Sequence, residues 1–105
     1  MSDWSITCVQ CGADLGGFDK AAASITLRPR EDEEDRTYFL CPTCNVYTVW
    51  ICIEDFFTDE CKLFATGPVS REEGDGIVAR IRECPDPRNM SCKCPTHREM
   101  ESRLW

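Results

Sequence analysis

The chain has 105 residues, of which 42% are hydrophobic and 30% are charged, and its formal net charge is −7. This length predicts one domain, or one domain with an appendage, and the hydrophobic content excludes wholesale disorder. The negative charge opposes attraction to nucleic acid, and no stretch reaches the roughly 18–20 apolar residues of a membrane span. Because residues 1–4 begin no secretory signal, we expect a cytoplasmic protein. We expect no membrane partner, and the charge argues against a nucleic-acid partner.

Strands are predicted over the first two thirds of the chain. Four segments have the β-branched and aromatic residues typical of strands: 24–28, 37–40, 46–57 and 61–66. The segment 46–57 is apolar almost throughout, which predicts a central strand covered on both faces. The acidic run 31–35 follows Pro29, and we expect it to be a solvated loop tip.

Two helices are predicted after residue 67. Ser70 and Glu73 form the capping box S-x-x-E, so a helix is expected to begin at Ser70 and to end near Cys84. Thr96 and Glu99 form a second capping box, which predicts a short helix that runs to the C terminus.

Two Cys-x2-Cys turns are the strongest chemical signal in the sequence. Their cysteines are Cys8, Cys11, Cys41 and Cys44. Two such turns present four thiolates to one point, where a tetrahedral divalent ion binds at about 2.3 Å from each sulfur. In the absence of a secretory signal, this spacing favours metal ligation over disulfides. Zinc is the expected metal, and iron also suits four thiolates.

With these turns, residues 4–66 resemble the zinc-ribbon and rubredoxin-like superfamily. The residues that carry the resemblance are Cys8-Val-Gln-Cys11-Gly12 and Cys41-Pro-Thr-Cys44, with strands leading out of both turns. The resemblance implies an antiparallel β zinc ribbon with these four cysteines as ligands, and it implies little about function. The chain departs from the family pattern in having Asn45 where a second glycine is common. A 29-residue gap between the pairs also leaves room for an extra hairpin.

A second group of metal-ligating residues lies near the C terminus, in a part for which no family resemblance is evident. Its members are Cys84, Cys92, Cys94 and His97, spaced as C-x7-C-x-C-x2-H. Three cysteines and one histidine form a common closed zinc site, so we expect a second zinc ion here. Two alternatives stay open, namely Cys52 or Cys61 in place of one ligand, and an iron–sulfur cluster with mixed ligation.

These predictions together give a small metal-stapled α+β protein. A zinc-ribbon-like β domain occupies residues 1–66, and a helical appendage with the second metal site occupies residues 67–105, the two packed as one unit. Cys52 and Cys61 are left over, as packing residues or as a redox pair.

The sequence indicates no catalytic site. The sole histidine, His97, is assigned to metal, so a nucleophilic cysteine or serine lacks its base. No phosphate-binding glycine motif is present, and four protein ligands leave no position for a small-molecule substrate.

We therefore expect a non-enzymatic module with two structural zinc ions that binds another protein. Aromatic residues beyond those needed for the core support this, unless they only cover it: Trp4, Tyr38, Tyr47, Trp50 and Trp105. Two other functions stay open. One is a rubredoxin-like iron electron carrier, and the other is a nucleic-acid-binding zinc protein that uses the basic residues Arg80, Arg82, Arg88, Lys93 and Arg98.

Overall fold

The computed structural model describes residues 5–28, 33–55, 60–89 and 91–102, and these form six strands and two helices. The strands are β1 (Ile6–Thr7), β2 (Asp14–Gly16), β3 (Ala23–Leu27), β4 (Glu33–Cys41), β5 (Val46–Asp55) and β6 (Glu60–Ser70). The helices are α1 (Arg71–Glu83) and α2 (Pro95–Ser102). The α+β prediction is therefore confirmed.

The main sheet is antiparallel, with the order β3-β4-β5-β6 among the described residues. β5 is central, as its continuous apolar character predicted. One of its faces is buried against the helices through Tyr47, Val49 and Ile51. On the other face Trp50 and Cys52 are only half-buried, so β5 is covered fully on one side and partly on the other.

Residues 33–35 of the acidic run are part of a strand rather than a loop tip. Glu33, Glu34 and Asp35 begin β4 and pair with β5, and residues 31 and 32 lie outside the described ranges. Two of these acids have side-chain partners, since Thr26 donates a hydrogen bond to Asp35 at 2.5 Å and Glu34 forms an ion pair with Arg36. Pairing with neighbouring strands thus outweighs the low strand propensity of acidic residues.

The last strand is longer than its pattern predicts. β6 continues through Gly67 to Ser70, and α1 follows it directly. The boundary expected between residues 66 and 67 falls inside β6, so both parts of the chain share this strand.

A small hairpin, β1–β2, packs on the half-covered face of the main sheet. The ring of Phe18 lies next to that of Phe39, with 6.4 Å between their centroids. The backbone N–H of Val9 donates to the hydroxyl of Thr48 at 3.0 Å. The Phe18–Phe39 contact, which is made just after the hairpin, reaches β4, and the Val9–Thr48 contact reaches β5. Together they hold the first Cys-x2-Cys turn, which joins β1 to β2, against the main sheet.

The helices cover the opposite face of the sheet. Ser70 caps α1 as predicted, since its hydroxyl accepts a hydrogen bond from the N–H of Glu73 at 3.2 Å. The buried core lies between sheet and helices: Ile25, Leu27, Tyr38, Tyr47, Val49, Ile51, Val78, Ile81 and Met100. Within the described ranges, neither helix has the length and apolar character needed to cross a membrane.

Candidate metal centres

Cluster 1 consists of Cys8, Cys11, Cys41 and Cys44. The first two lie in the β1–β2 turn, Cys41 is the last residue of β4, and Cys44 lies in the turn between β4 and β5. All four sulfur atoms lie within 4.8 Å of one another, and those of Cys11 and Cys41 are 3.7 Å apart. Cys8 and Cys41 are buried, whereas Cys11 is exposed. The structure therefore brings the four predicted ligands to one point near the surface.

The two turns of cluster 1 have the same local geometry. The N–H of Gly12 donates to the carbonyl of Cys8 at 2.9 Å, and the N–H of Asn45 donates to the carbonyl of Cys41 at 2.8 Å. Gly12 has φ of +78° and Asn45 has φ of +60°. Glycine adopts this left-handed conformation freely, and asparagine is among the few other residues that tolerate it. Asn45 thus adopts the left-handed conformation that Gly12 adopts in the first turn.

Backbone N–H groups favour thiolates in cluster 1. The N–H of Gln10 points to the sulfur of Cys8 at 3.4 Å, and the N–H of Cys44 points to that of Cys41 at 3.5 Å. Burial alone raises the pKa of Cys8, but the N–H groups of Cys11 and Gln10 lower it to about 6. Hydrogen bonding with Cys11 and then burial raise the pKa of Cys44 to about 12. These opposite pKa shifts indicate that negative charge is distributed unequally over the neighbouring thiols. A bound divalent cation would neutralise that charge.

Cluster 2 consists of Cys84, Cys92, Cys94 and His97. Its donor atoms also lie within 4.8 Å of one another. The sulfur of Cys84 is 3.7 Å from that of Cys92 and 3.3 Å from that of Cys94. Cys84 follows the last residue of α1, and the other three surround the start of α2.

His97 is the most firmly held member of cluster 2. Its side chain is fully buried, with 0% exposure. Nδ1 lies 3.3 Å from the sulfurs of Cys84 and Cys94, and Nε2 donates to the carbonyl oxygen of Thr26 at 3.1 Å. A proton on Nε2 leaves the Nδ1 lone pair directed at the thiols. A hydrogen bond of this kind orients histidine ligands in metal sites.

Cys94, and not Thr96, caps α2. The carbonyl of Cys94 accepts the first helical hydrogen bond, from Arg98 at 3.1 Å, and its sulfur accepts one from the N–H of His97 at 3.4 Å. The predicted cap at Thr96 is wrong because α2 begins at Pro95, and the Thr96 hydroxyl donates to the carbonyl of Arg80 instead. Burial acts to raise the pKa of Cys94, but the N–H of His97 lowers it to about 6.

Both clusters fit a tetrahedral ion. Four ligands at about 2.3 Å from one metal in this geometry lie about 3.8 Å from each other. The sulfur–sulfur distances of 3.3–3.7 Å are close to that spacing, so small side-chain movements would complete either site. The donor sets, four sulfurs in one cluster and three sulfurs with one nitrogen in the other, suit zinc, and four sulfurs also suit iron.

Helix α1 connects the two clusters. At its start, Arg71 donates to the side-chain oxygen of Asn45 at 2.6 Å, and Asn45 directly follows Cys44. At its other end lies Cys84 of cluster 2. The thirteen residues of α1 span about 20 Å. This one helix therefore contacts Asn45, the residue next to cluster 1, at its start and positions Cys84 of cluster 2 at its end.

Two further cysteines lie together outside the clusters. Cys52 on β5 and Cys61 on β6 have their sulfurs 3.4 Å apart. Among the described residues, the groups of three or more donors that could hold an ion are clusters 1 and 2, and the structure places neither Cys52 nor Cys61 in either cluster. Their proximity follows from the pairing of β5 with β6, which the cysteine spacing alone did not indicate.

A groove runs along the half-covered face of the sheet beside this pair. Its volume is about 780 Å³, and we call it the Trp50 groove. It is lined by Phe18, Asp35, Trp50, Cys52, Leu63 and Arg88, among others. Tyr38 and Tyr47 instead belong to the core, and Trp4 and Trp105 lie outside the described residues. Of the three singled-out aromatic residues that the structure describes, Trp50 is therefore the one beside an open surface.

Comparison of the chain with protein-family models, with curated proteins and with solved structures finds no match. The two cysteine-rich clusters are compatible with a zinc-ribbon-like module. The function of the chain is therefore inferred from its own geometry.

Proposed function

We propose that this protein is a non-enzymatic zinc-binding module in which two zinc ions hold the fold together. The observation that carries the proposal is that each cluster assembles four protein donors within 4.8 Å. A zinc ion with four protein ligands has no open position for water or substrate, so its role is structural. Cluster 1 would join the β1–β2 hairpin to the sheet, and cluster 2 would join α1 to α2.

Elemental analysis of the purified full-length chain tests the metal proposal. The expected result is two zinc ions per chain, falling to one in Cys41→Ser and in Cys92→Ser. Cys52→Ser is the matched control, since it removes a thiol outside both clusters and should retain two. One zinc in the unchanged protein, or no loss in either ligand variant, would contradict the assignment.

Iron at cluster 1 is a second candidate, favoured by one observation. Cys11 is exposed, which places one ligand of the cluster at the surface, where an electron carrier needs its metal. Iron bound by four thiolates is coloured and redox-active, whereas zinc is neither. A colourless, iron-free protein purified from iron-replete cells would exclude this function.

We extend the proposal to a protein partner that binds across the Trp50 groove. Phe18 and Leu63 border it with 55% and 58% of their surfaces exposed. β6, which carries Leu63, is an edge strand in the described part of the sheet. Exposed apolar side chains beside an edge strand are typical of surfaces that add a strand from another protein. The charge of −7 favours a basic, apolar partner segment.

A surface charge placed in the groove tests this interaction. Leu63→Asp should abolish crosslinking to the partner in cells of the source organism, and Ala79→Asp, on the exposed side of α1, should leave it unchanged. Both variants should keep two zinc ions and the circular dichroism of the unchanged protein. The proposal is refuted if the unchanged chain forms no specific crosslink, or if the crosslink persists equally in both variants.

The arginines of the C-terminal part support a protein partner over nucleic acid. Arg80 forms an ion pair with Glu99, and Arg82 donates to the carbonyl of Ala22 at 3.1 Å. Side chains engaged within the molecule contribute less to binding phosphates. Absence of binding to nucleic acid at ~50 mM salt, where electrostatic contacts are strong, is the expected result.

A further inference from the structure

Cys52 and Cys61 form a thiol pair on the half-covered face of the main sheet. Cys61 lies opposite Glu54, and Cys52 lies opposite Leu63, so the two cysteines are diagonal neighbours on β5 and β6. Diagonal residues on one face are about 7–8 Å apart, a separation that short side chains span only when they are directed at each other. Their sulfurs are 3.4 Å apart, and both side chains point away from the helix-covered core.

The two thiols differ in access. Cys61 is exposed and lies on β6, which has a neighbour on one side only among the described strands. Cys52 is half-buried and lines the Trp50 groove. Burial, followed by the hydrogen bond and charge of Cys61, raises the pKa of Cys52 to about 12. An incoming reagent therefore reaches Cys61 first, with Cys52 held behind it.

We propose that Cys52 and Cys61 are a modification site that forms a reversible disulfide by exchange with a low-molecular-weight disulfide such as oxidised glutathione. The Cys61 thiolate attacks one sulfur of the reagent, forming a mixed disulfide and releasing one glutathione thiolate. Cys52 then attacks the Cys61 sulfur, and its proton passes to the second glutathione as that leaves. The two cysteines lose two electrons and two protons, and two molecules of glutathione thiol are formed.

The geometry permits both steps. A disulfide has its sulfurs about 2.05 Å apart, so closure requires the thiols to approach by about 1.4 Å from 3.4 Å. Once Cys61 is in the mixed disulfide, it no longer carries the charge that disfavours ionisation of Cys52. The product ties β6 covalently to β5 beside Leu63, at the wall of the Trp50 groove. The exchange chemistry involves only this pair of cysteines, whereas its test on the zinc-loaded chain rests on the proposed binding of zinc at clusters 1 and 2.

Mass spectrometry of the zinc-loaded full-length chain, incubated with oxidised glutathione, tests the proposal. The unchanged protein should lose about 2 Da, the mass of two hydrogen atoms, and digestion at acidic pH should recover Cys52 linked to Cys61. Cys52→Ser should stop at one glutathione adduct on Cys61. Cys61→Ser should react at least tenfold more slowly than Cys52→Ser. Zinc should stay bound, and added reduced thiol should restore the original mass.

Three results would overturn the proposal. The first is an unchanged protein that accumulates two glutathione adducts instead of one internal disulfide. The second is a disulfide that involves a cysteine of cluster 1 or cluster 2, accompanied by zinc release. The third is no reaction over hours while a denatured control reacts fully. Because all three are read from the unchanged protein, the test does not rely on the variants folding.

Discussion

Replacing Gly74 by alanine is expected to destabilise the protein, although alanine normally stabilises a helix. Gly74 lies in α1 against the ring of Tyr47, and a Cβ there would overlap two ring atoms and lie 2.8 Å from Cγ. Tyr47 cannot move aside easily, because its backbone is paired in β5 and its hydroxyl donates to Asp75 at 2.5 Å. Overpacking of this kind costs about 3 kcal/mol, at the upper end of its range. Because alanine has a higher helix propensity than glycine, it recovers about 1 kcal/mol, so we expect the free energy of unfolding to fall by about 2 kcal/mol.

Gly76 provides the matched control, since it lies in the same helix and a Cβ there would meet nothing within 4 Å. Gly76→Ala should stabilise the protein by about 1 kcal/mol. At a fixed excess of zinc, thermal unfolding followed by circular dichroism should show Tm lowered by about 10 °C in Gly74→Ala and raised by about 5 °C in Gly76→Ala. Equal shifts in the same direction would refute the close packing of α1 on Tyr47.

Three further predictions concern the metal centres. Chelation of the unchanged protein, which removes both metals, should abolish most of the strand signal in circular dichroism, because metal binding supplies on the order of 10 kcal/mol to such folds. Asn45→Ala should be less stable than Asn45→Gly by about 1 kcal/mol, because φ at this position is +60° and both variants lose the hydrogen bond from Arg71; urea unfolding at constant zinc distinguishes them. Zinc affinity should fall as the pH is lowered, because burial raises the pKa of Cys84 to about 12 and its proton must leave on binding. The expected change is about tenfold per pH unit for each proton released, measured by chelator competition between about pH 6 and about pH 8.

Features set by neighbouring residues were predictable from the sequence. The two Cys-x2-Cys turns and the cap of α1 at Ser70 depend on a few adjacent positions, and the structure has them where expected. The short spacing within Cys92-Lys-Cys94-Pro-Thr-His97 likewise limits how far these donors can separate, and the structure places them together with Cys84.

Features set by distant residues were not predictable. The acidic start of β4 is a strand because β5 pairs with it across the sheet. The role of Thr96 follows from the carbonyl of Arg80, which lies on another helix. The approach of Cys52 to Cys61 depends on the register between β5 and β6, and a shift of one residue would turn one of them to the opposite face.

The contacts of Thr26 give cluster 2 a second consequence. β3 is an edge strand in the described part of the main sheet, and an open edge invites pairing with strands of other chains. Here the N–H of Thr26 donates to the carbonyl of Pro87 at 2.8 Å, and its own carbonyl accepts from His97. Both edge groups of this residue are thus occupied by the segment that a metal at cluster 2 would hold in place. Loss of that metal would expose the backbone groups of this edge strand to pairing with other chains. The ion would therefore reduce aggregation as well as stabilise the fold.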